Sequence, residues 1–225
     1  MTEPTTLSSL QHVLPKATLD AWGPVAAVTP DDGILMGGTA LTVHLRHRVS
    51  RDLDVFTTDE FDPDDLEHQL RSHGAFATTL KGDGTLNGVF EDAKVQFLWS
   101  RGQRVLAKAI RVGGLNVGSI DDILATKVKV VGDRAELRDF FDLMEIEARA
   151  HRYVEEGLQL YMARFGIDET HMSLGHIVKG FGYFDDLNDD PFLEAASPAG
   201  LKDRVIRYWT DRQPQIVAHF DPYST

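Results

Sequence analysis

Two textures divide this 225-residue chain and together predict an α+β protein. Up to about residue 118, short apolar runs are broken by glycine turns, which is the pattern of a mixed sheet interleaved with a few helices. From Ser119 onward the apolar residues recur at helical spacing, which predicts an all-helical second part. The expected domains are therefore residues 1–118, a mixed-sheet core, and residues 119–225, a helical bundle.

Taken in order, residues 1–32 read as a lead-in containing one short helix near Leu7–Leu14. Ile34-Leu35-Met36 is a short apolar run ending at Gly37-Gly38. Thr39 is an N-cap type placed directly after the glycines, so Thr39–Arg48 is expected as a helix. Asp52–Phe56 reads as a strand, and Asp62-Pro63 opens a helix over Asp64–Ser72. A strand is expected over Phe76–Lys81. Leu86–Phe90 and Val95–Trp99 then form a hairpin-like pair, with Gly82 and Gly84 supplying turns. Ile110–Val112 and Leu115–Val117 flank Gly113-Gly114 as short strands. Ser119-Ile120-Asp121-Asp122 reads as a capping box, and the helical pattern that follows runs to Arg149 with a break near Gly132. Helices are expected over Tyr153–Phe165, His171–Phe181 and Pro198–Ala218, with an acidic loop over Asp185–Pro191. His171, His176, Phe181, Tyr183 and Phe184 read as packing residues of the helical part.

Composition narrows the function. The chain is 42% hydrophobic and 26% charged, with a mean hydropathy of −0.22. That is the profile of a soluble globular protein. There is no cysteine, which removes disulfides, thiolate nucleophiles and thiolate metal sites. No leader or spanning segment is apparent, and a cytoplasmic location without a membrane partner is expected. The formal net charge of −12 argues against broad adhesion to DNA or RNA, so any nucleic-acid contact must be local. One local exception is the acid-free run containing His44, Arg46, His47, Arg48 and Arg51. It reads equally as a solvated helix face.

The stretch ILMGGTALTVHLRHRVSRDLDVF, residues 34–56, carries the chemistry. On a strand, residues i and i+2 share a face, so Asp52 and Asp54 project together while Leu53 and Val55 enter the core. Adjacent carboxylates repel, and a hard divalent cation such as Mg²⁺ relieves this, using one or two carboxylates plus substrate phosphates. Glycines 37 and 38 let backbone N–H groups approach a phosphate, at the positive end of the following helix. Thr39 adds a hydroxyl. A phosphate cradle beside metal carboxylates is what a nucleoside triphosphate needs for in-line displacement.

Gly37-Gly38-Thr39, twelve residues, then Asp52-Leu53-Asp54 and Phe56-Thr57 resemble the first signature of the polymerase-β-type nucleotidyltransferases, in particular the AbiEii/AbiGii toxin family, which includes toxins of the MenT type. Ser119 to Lys127 (SIDDILATK) is similar to a further segment of that family. Arg134, then Arg138-Asp139-Phe140-Phe141-Asp142-Leu143, is similar to another. Tyr183-Phe184-Asp185-Asp186 with Asp190-Pro191 resembles a tail found in one branch. The resemblance spans residues 33–192.

It implies a polymerase-β-like nucleotidyltransferase core with a mixed sheet, and a C-terminal helical bundle that completes an active cleft. It further implies Mg²⁺-dependent transfer of a nucleoside monophosphate from an NTP to a hydroxyl, most plausibly the 3′ end of tRNA. The protein would then be the toxin of a toxin–antitoxin pair, with a cognate antitoxin as partner. By matching positions, Asp52 and Asp54 would hold metal and act in catalysis. Gly37, Gly38, Thr39, Arg48 and Arg138 would bind nucleotide, with Arg138 where the family usually has lysine. Lys127 would bind phosphate, and Asp139 and Asp142 would add catalytic carboxylates. Read from the residues alone, Lys127 fits a snorkelling surface lysine as well as a cleft lysine. Arg134, Arg138 and Asp142 fit plain ion pairs along one helix face, and Asp139 borders the core, where it needs a partner such as Lys127 or Arg138.

One departure stands out. Where related enzymes place a third carboxylate on a later strand, expected here over Ala93–Trp99, this chain has Gln96, which cannot act as a base. Two alternatives therefore remain beside RNA modification. One is transfer of AMP or UMP to a protein hydroxyl, and the other is a non-catalytic nucleotide- or partner-binding module.

Overall fold

The computed structural model describes residues 5–134 and 136–220. The chain falls into two units, Met1–Ser119 and Ile120–Thr225. No helix among the described residues is long and apolar enough to cross a membrane.

The first unit holds one mixed sheet. Its elements are α1 (Lys16–Val28), β1 (Ile34–Met36), α2 (Gly37–Leu45), β2 (Leu53–Thr57), α3 (Pro63–His73), β3 (Phe76–Gly82), β4 (Thr85–Phe90), β5 (Ala93–Trp99), β6 (Ile110–Val112) and β7 (Leu115–Val117). The strand order is β3-β4-β5-β2-β1-β7-β6. The β2–β5 and β1–β7 pairs are parallel and the others antiparallel. Period-two burial separates two faces. Leu53, Val55, Val95, Phe97, Leu86 and Phe90 are buried, whereas Asp54, Phe56, Gln96, Leu98 and Asn87 alternate with them and are partly exposed.

Residues 1–32 are more than a lead-in. A single 3₁₀ turn covers Leu7–Leu10, and α1 follows as a thirteen-residue helix that buries Ala21, Trp22, Val25 and Val28. A proline lies inside this helix. Pro24 removes the N–H that would bond the carbonyl of Asp20, but Asp20 lies on the exposed side, where water replaces the lost bond. The buried indole of Trp22 donates to the carbonyl of Val112 at 3.1 Å, tying α1 to the sheet.

The helix after the double glycine also differs from expectation. Gly37 has φ +69°, so the chain turns at the glycine itself and α2 begins there, with Met36 as N-cap. Thr39 is thus inside the first turn rather than capping it. The helix ends at Leu45, because Arg46 adopts the left-handed conformation (φ 51°). Asp62 caps α3 as expected, accepting from the N–H groups of Asp64 and Asp65 at 2.8 and 3.4 Å.

The second unit holds α4 (Ile120–Asp133), α5 (Leu137–Ala150), α6 (Val154–Phe165), α7 (Met172–Gly180), α8 (Pro191–Ala195) and α9 (Leu201–Phe220). α4 packs against α5, α6 and α7, and α9 packs against α5. Phe140, Phe181, Phe184 and Trp209 form an aromatic centre, with neighbouring ring centroids 4.8–6.5 Å apart. The short α8 was not expected. Asp190 caps it through the N–H of Leu193 at 3.0 Å, and Pro191 fills its first position.

Candidate functional site

The antiparallel register of β1 on β2 sets Met36 opposite Asp54, so the chain leaves β1 at Gly37 directly beside the Asp54 carboxylate. A Cβ placed on Gly37 would lie 2.6 Å from Asp54 Oδ2. A side chain there is excluded both by that contact and by the positive φ. Gly38 differs: a Cβ on it would lie 2.4 Å from an Nη of Arg48 and 3.2 Å from Ser50 Oγ, so a side chain there would displace the guanidinium. The two glycines therefore admit one carboxylate and one guanidinium to the first turn of α2. Its N-cap, Met36, makes no side-chain capping bond, so the helix starts without one from that residue. A site with N–H donors, a cation and a carboxylate together suits a phosphate that carries a divalent metal.

Thr39 serves this site indirectly. Its hydroxyl is buried, within 2.8 Å of Ser50 Oγ, and donates to the carbonyl of Asp52 at 2.5 Å. Those bonds pin the segment that leads into β2, and what Thr39 offers a ligand is its backbone N–H. Asp52 stands one residue before β2 on the same parity as Asp54, and both are partly exposed. Among the described residues no group of three or more His, Asp or Glu side chains is placed to hold a metal. The donor set at the sheet end is thus two carboxylates, which fits a hard cation completed by phosphate oxygens.

Gln96 lies on β5 in register with Asp54 and also with Asn87 on β4. Paired residues share a face, so the glutamine stands where a third carboxylate would meet the reacting groups. Glu91 and Asp92 occupy the β4–β5 turn, and the Glu91 carboxylate accepts from the N–H of Ala75 at 3.0 Å.

The basic run after α2 is partly committed to the fold. His44 Nε2 lies 2.8 Å from the carbonyl of Gly118, fastening α2 to the end of β7. Burial pushes this imidazole below its usual range, against the opposing pull of that carbonyl. Arg46 reaches Ser9 Oγ at 3.0 Å. Arg48 lies against Gly38 and also donates to the carbonyl of Val49 at 3.1 Å. Arg51 is exposed.

In the second unit the structure gathers Lys127, Asp139 and Asp142 into one buried cluster. The Lys127 ammonium is 2.7 Å from Asp139 and 2.6 Å from Asp142, and its side chain is 8% exposed while both carboxylates are at 0%. Burial raises the Asp139 carboxyl, but the charges of Lys127 and Arg134 outweigh it and hold the group below the usual carboxylate range. Arg134 precedes α5 instead of sharing its face, and donates to Asp139 at 3.0 Å. Arg138 pairs with Glu136 at 2.6 Å.

Two charged clusters of this unit escaped the sequence. Arg164 and Asp122 form a buried pair at 2.5 Å. The buried Glu147 accepts from Arg212 at 3.0 and 3.1 Å, from the N–H of Val154 at 3.0 Å and from the Tyr208 hydroxyl. Arg212 extends the set to Glu155 at 2.8 Å. Burial and the Glu147 carboxylate push the Tyr208 phenol up. Asp122 and Arg164 are 42 residues apart and Glu147 and Arg212 are 65 apart, so no local pattern signals either pair.

Residues 29–106 match the model of the family described as nucleotidyl transferase AbiEii toxin of type IV toxin–antitoxin systems. An uncharacterized protein of Aquifex aeolicus is 25% identical over 166 residues, covering 72% of this chain and 78% of that protein. A Helicobacter pylori crystal structure described as a nucleotidyltransferase has a TM-score of 0.57 at 19% identity, over 96% of each chain. The crystal structure of JHP933, from the same species, has a TM-score of 0.54 at 17% identity, over 100% of this chain and 96% of its own. At these identities the two structures establish the shared fold.

Proposed function

We propose that this chain, whose residues 29–106 match the AbiEii nucleotidyl transferase toxin model, transfers a nucleoside monophosphate from an NTP to the 3′-terminal hydroxyl of tRNA, as the toxin of a toxin–antitoxin pair acting in the cytoplasm. The observation that carries this reading is the approach of the Asp54 carboxylate and the Arg48 guanidinium to the double glycine.

In the proposed complex the N–H groups of Gly38 and Thr39 and the Arg48 guanidinium take the triphosphate oxygens, while Asp52 and Asp54 hold Mg²⁺. When bound, the cation neutralises the phosphates and screens the two carboxylates from each other. The acceptor oxygen attacks the α-phosphorus, the bond from that phosphorus to the bridging oxygen breaks, and pyrophosphate departs with the electron pair. Gln96 orients the hydroxyl through its amide, and the hydroxyl proton passes to water, since an amide accepts no proton near neutrality. Lys127 enters the proposal as the cation that the family resemblance assigns to phosphate, kept charged and fixed by Asp139 and Asp142. Arg138 is assigned to nucleotide on the same basis.

The test incubates the purified protein with Mg²⁺ and each α-³²P-labelled NTP in turn, with total tRNA as acceptor, beside Asp54→Asn and an EDTA control. Label on tRNA from the wild type alone, lost with EDTA, is the expected result. Label on protein would replace the RNA acceptor by a protein hydroxyl. Absence of label under all four nucleotides would overturn transfer and favour the binding module that Gln96 keeps open.

A further inference from the structure

The charge that the protein presents to solvent is not spread evenly. Residues 93–120 contain Lys94, Arg101, Arg104, Lys108 and Arg111 and no acid, in a chain of net charge −12. All five are exposed. Four of them fall on the loop between β5 and β6 and on β6 itself, an edge strand. The basic run after α2, by contrast, spends His44, Arg46 and Arg48 on the fold and on the glycine turn.

The register fixes where this loop goes. β5 runs parallel to β2, so the chain leaves β5 at the end of the sheet away from Asp54. It re-enters the sheet at Ile110, which pairs with Val117, itself level with Leu35, one residue short of Met36 opposite Asp54. Lys108 therefore returns to the end of the sheet that carries the double glycine. With β1 and β7 between them, β6 stands three strand spacings from β2, about 14 Å. At the start of the loop the Arg101 guanidinium lies 4.2 Å from the centroid of the Trp99 ring, whose Nε1–H donates to the carbonyl of Thr58 at 3.0 Å. An anchored indole with a cation over it offers both a stacking face and a phosphate contact. Farther along β6, Arg111 donates to Asn116 Oδ1 at 3.1 Å, which holds its guanidinium at the sheet edge.

We infer that the β5–β6 segment, through Arg101, Arg104, Lys108 and Arg111 with Trp99, is the surface that takes the phosphate backbone of the acceptor RNA. The inference rests on the reading of the acceptor as RNA given above. A −12 protein repels a polyanion over most of its surface, so a single acid-free cationic segment returning to the catalytic end of the sheet is where a strand can be held. Each phosphate contact there releases condensed counterions and adds to the salt dependence of binding.

The experiment measures binding of fluorescent tRNA to the full chain by anisotropy between about 50 and 200 mM salt, a range over which such contacts dominate. Label transfer is followed in parallel. The variants are Arg101→Gln/Arg104→Gln/Lys108→Gln and, as a control in the other unit, Arg204→Gln/Arg207→Gln on exposed positions of α9. Thermal unfolding checks that each is folded. The loop variant is expected to bind at least about tenfold more weakly, with the slope of log K against log salt shallower by roughly 2–3, and the control is expected to be unchanged. Weaker binding by the loop variant without any transfer in the wild type would keep this surface and remove the transfer reading. Equal RNA binding by wild type and loop variant would overturn the inference, as would no RNA binding by the wild type or an equal loss in the control. In those cases an acidic protein partner becomes the better occupant.

Discussion

The two units handle buried carboxylates in opposite ways. At the end of the sheet, Asp54 is only partly buried, and two glycines hold side-chain volume away from it and from Arg48. In the helical unit, Asp139 and Asp142 are fully buried and Lys127 sits between them at hydrogen-bonding distance. The first arrangement leaves no side chain at the glycines themselves, and the proposed phosphate and metal site rests on that feature. The second is closed by its own counter-charge. A partly exposed carboxylate and two fully buried ones should respond differently to loss of charge.

The largest expected effect is on activity, at the open site. Asp54→Asn should lower nucleotidyl transfer by about three orders of magnitude, the scale of losing one preorganised electrostatic contact to the reacting group. Its unfolding free energy should stay within about 0.5 kcal/mol of wild type, as at other partly exposed positions. Denaturant titration alongside the transfer assay reads both. At the closed site the order reverses. Lys127→Met removes the cation shared by two buried carboxylates, of which Asp139 keeps Arg134, and is expected to cost about 3–5 kcal/mol of stability. Lys127→Arg keeps the charge and should recover most of it. A stable Lys127→Met protein would erase the contrast between the two units.

Intermediate effects sharpen the geometry. Gly38→Ala introduces a Cβ 2.4 Å from an Arg48 Nη, so the guanidinium must move away from the first turn of α2. The expected outcome is a rise of about tenfold in the KM for NTP, the equivalent of roughly 1.4 kcal/mol, with kcat and folding little changed. Gly37→Ala combines the Asp54 contact with the positive φ and should cost stability as well.

The smallest effects are in pH dependence. Asp139 has a folded pKa below its ordinary value, so its stabilisation is present above the usual carboxylate range and lost as pH falls through the depressed value. Unfolding measured from pH 5 downward should show this acid loss, and Asp139→Asn should flatten it. His44 is a base whose folded pKa is also lowered. The unfolded chain binds the proton first, so stability is full above about pH 6.5 and declines below it until the folded imidazole titrates, by less than about 1.4 kcal/mol per pH unit. His44→Gln should remove that decline.

How much of this was legible from sequence follows the same division. GGT and DLD are local signals separated by twelve residues, and a single strand pairing is enough to set Met36, next to the glycines, opposite Asp54. The register of Gln96 against Asp54 also followed from placing one strand correctly. Thr39 was misplaced because its residue type suits an N-cap, whereas the positive φ of Gly37 had already started the helix. α1 is absent from the sequence reading, which takes residues 1–32 as a lead-in, although Trp22, Val25 and Val28 form a buried stripe at helical spacing. The closed clusters were harder. Lys127 was suspected as a partner for Asp139, but Glu147 with Arg212 and Asp122 with Arg164 join helices far apart in sequence, and nothing local in either segment marks them.

The most direct measurement is thermal unfolding of wild type and Asp54→Asn with a non-hydrolysable NTP, in the presence and absence of Mg²⁺. A ligand that binds only the folded state raises the transition in proportion to its occupancy. The expected result is a clear upward shift for wild type that requires nucleotide and Mg²⁺ together, and little shift for Asp54→Asn from an unchanged starting temperature. Equal shifts for the two proteins, or a shift indifferent to Mg²⁺, would contradict a metal–triphosphate site at the end of β2.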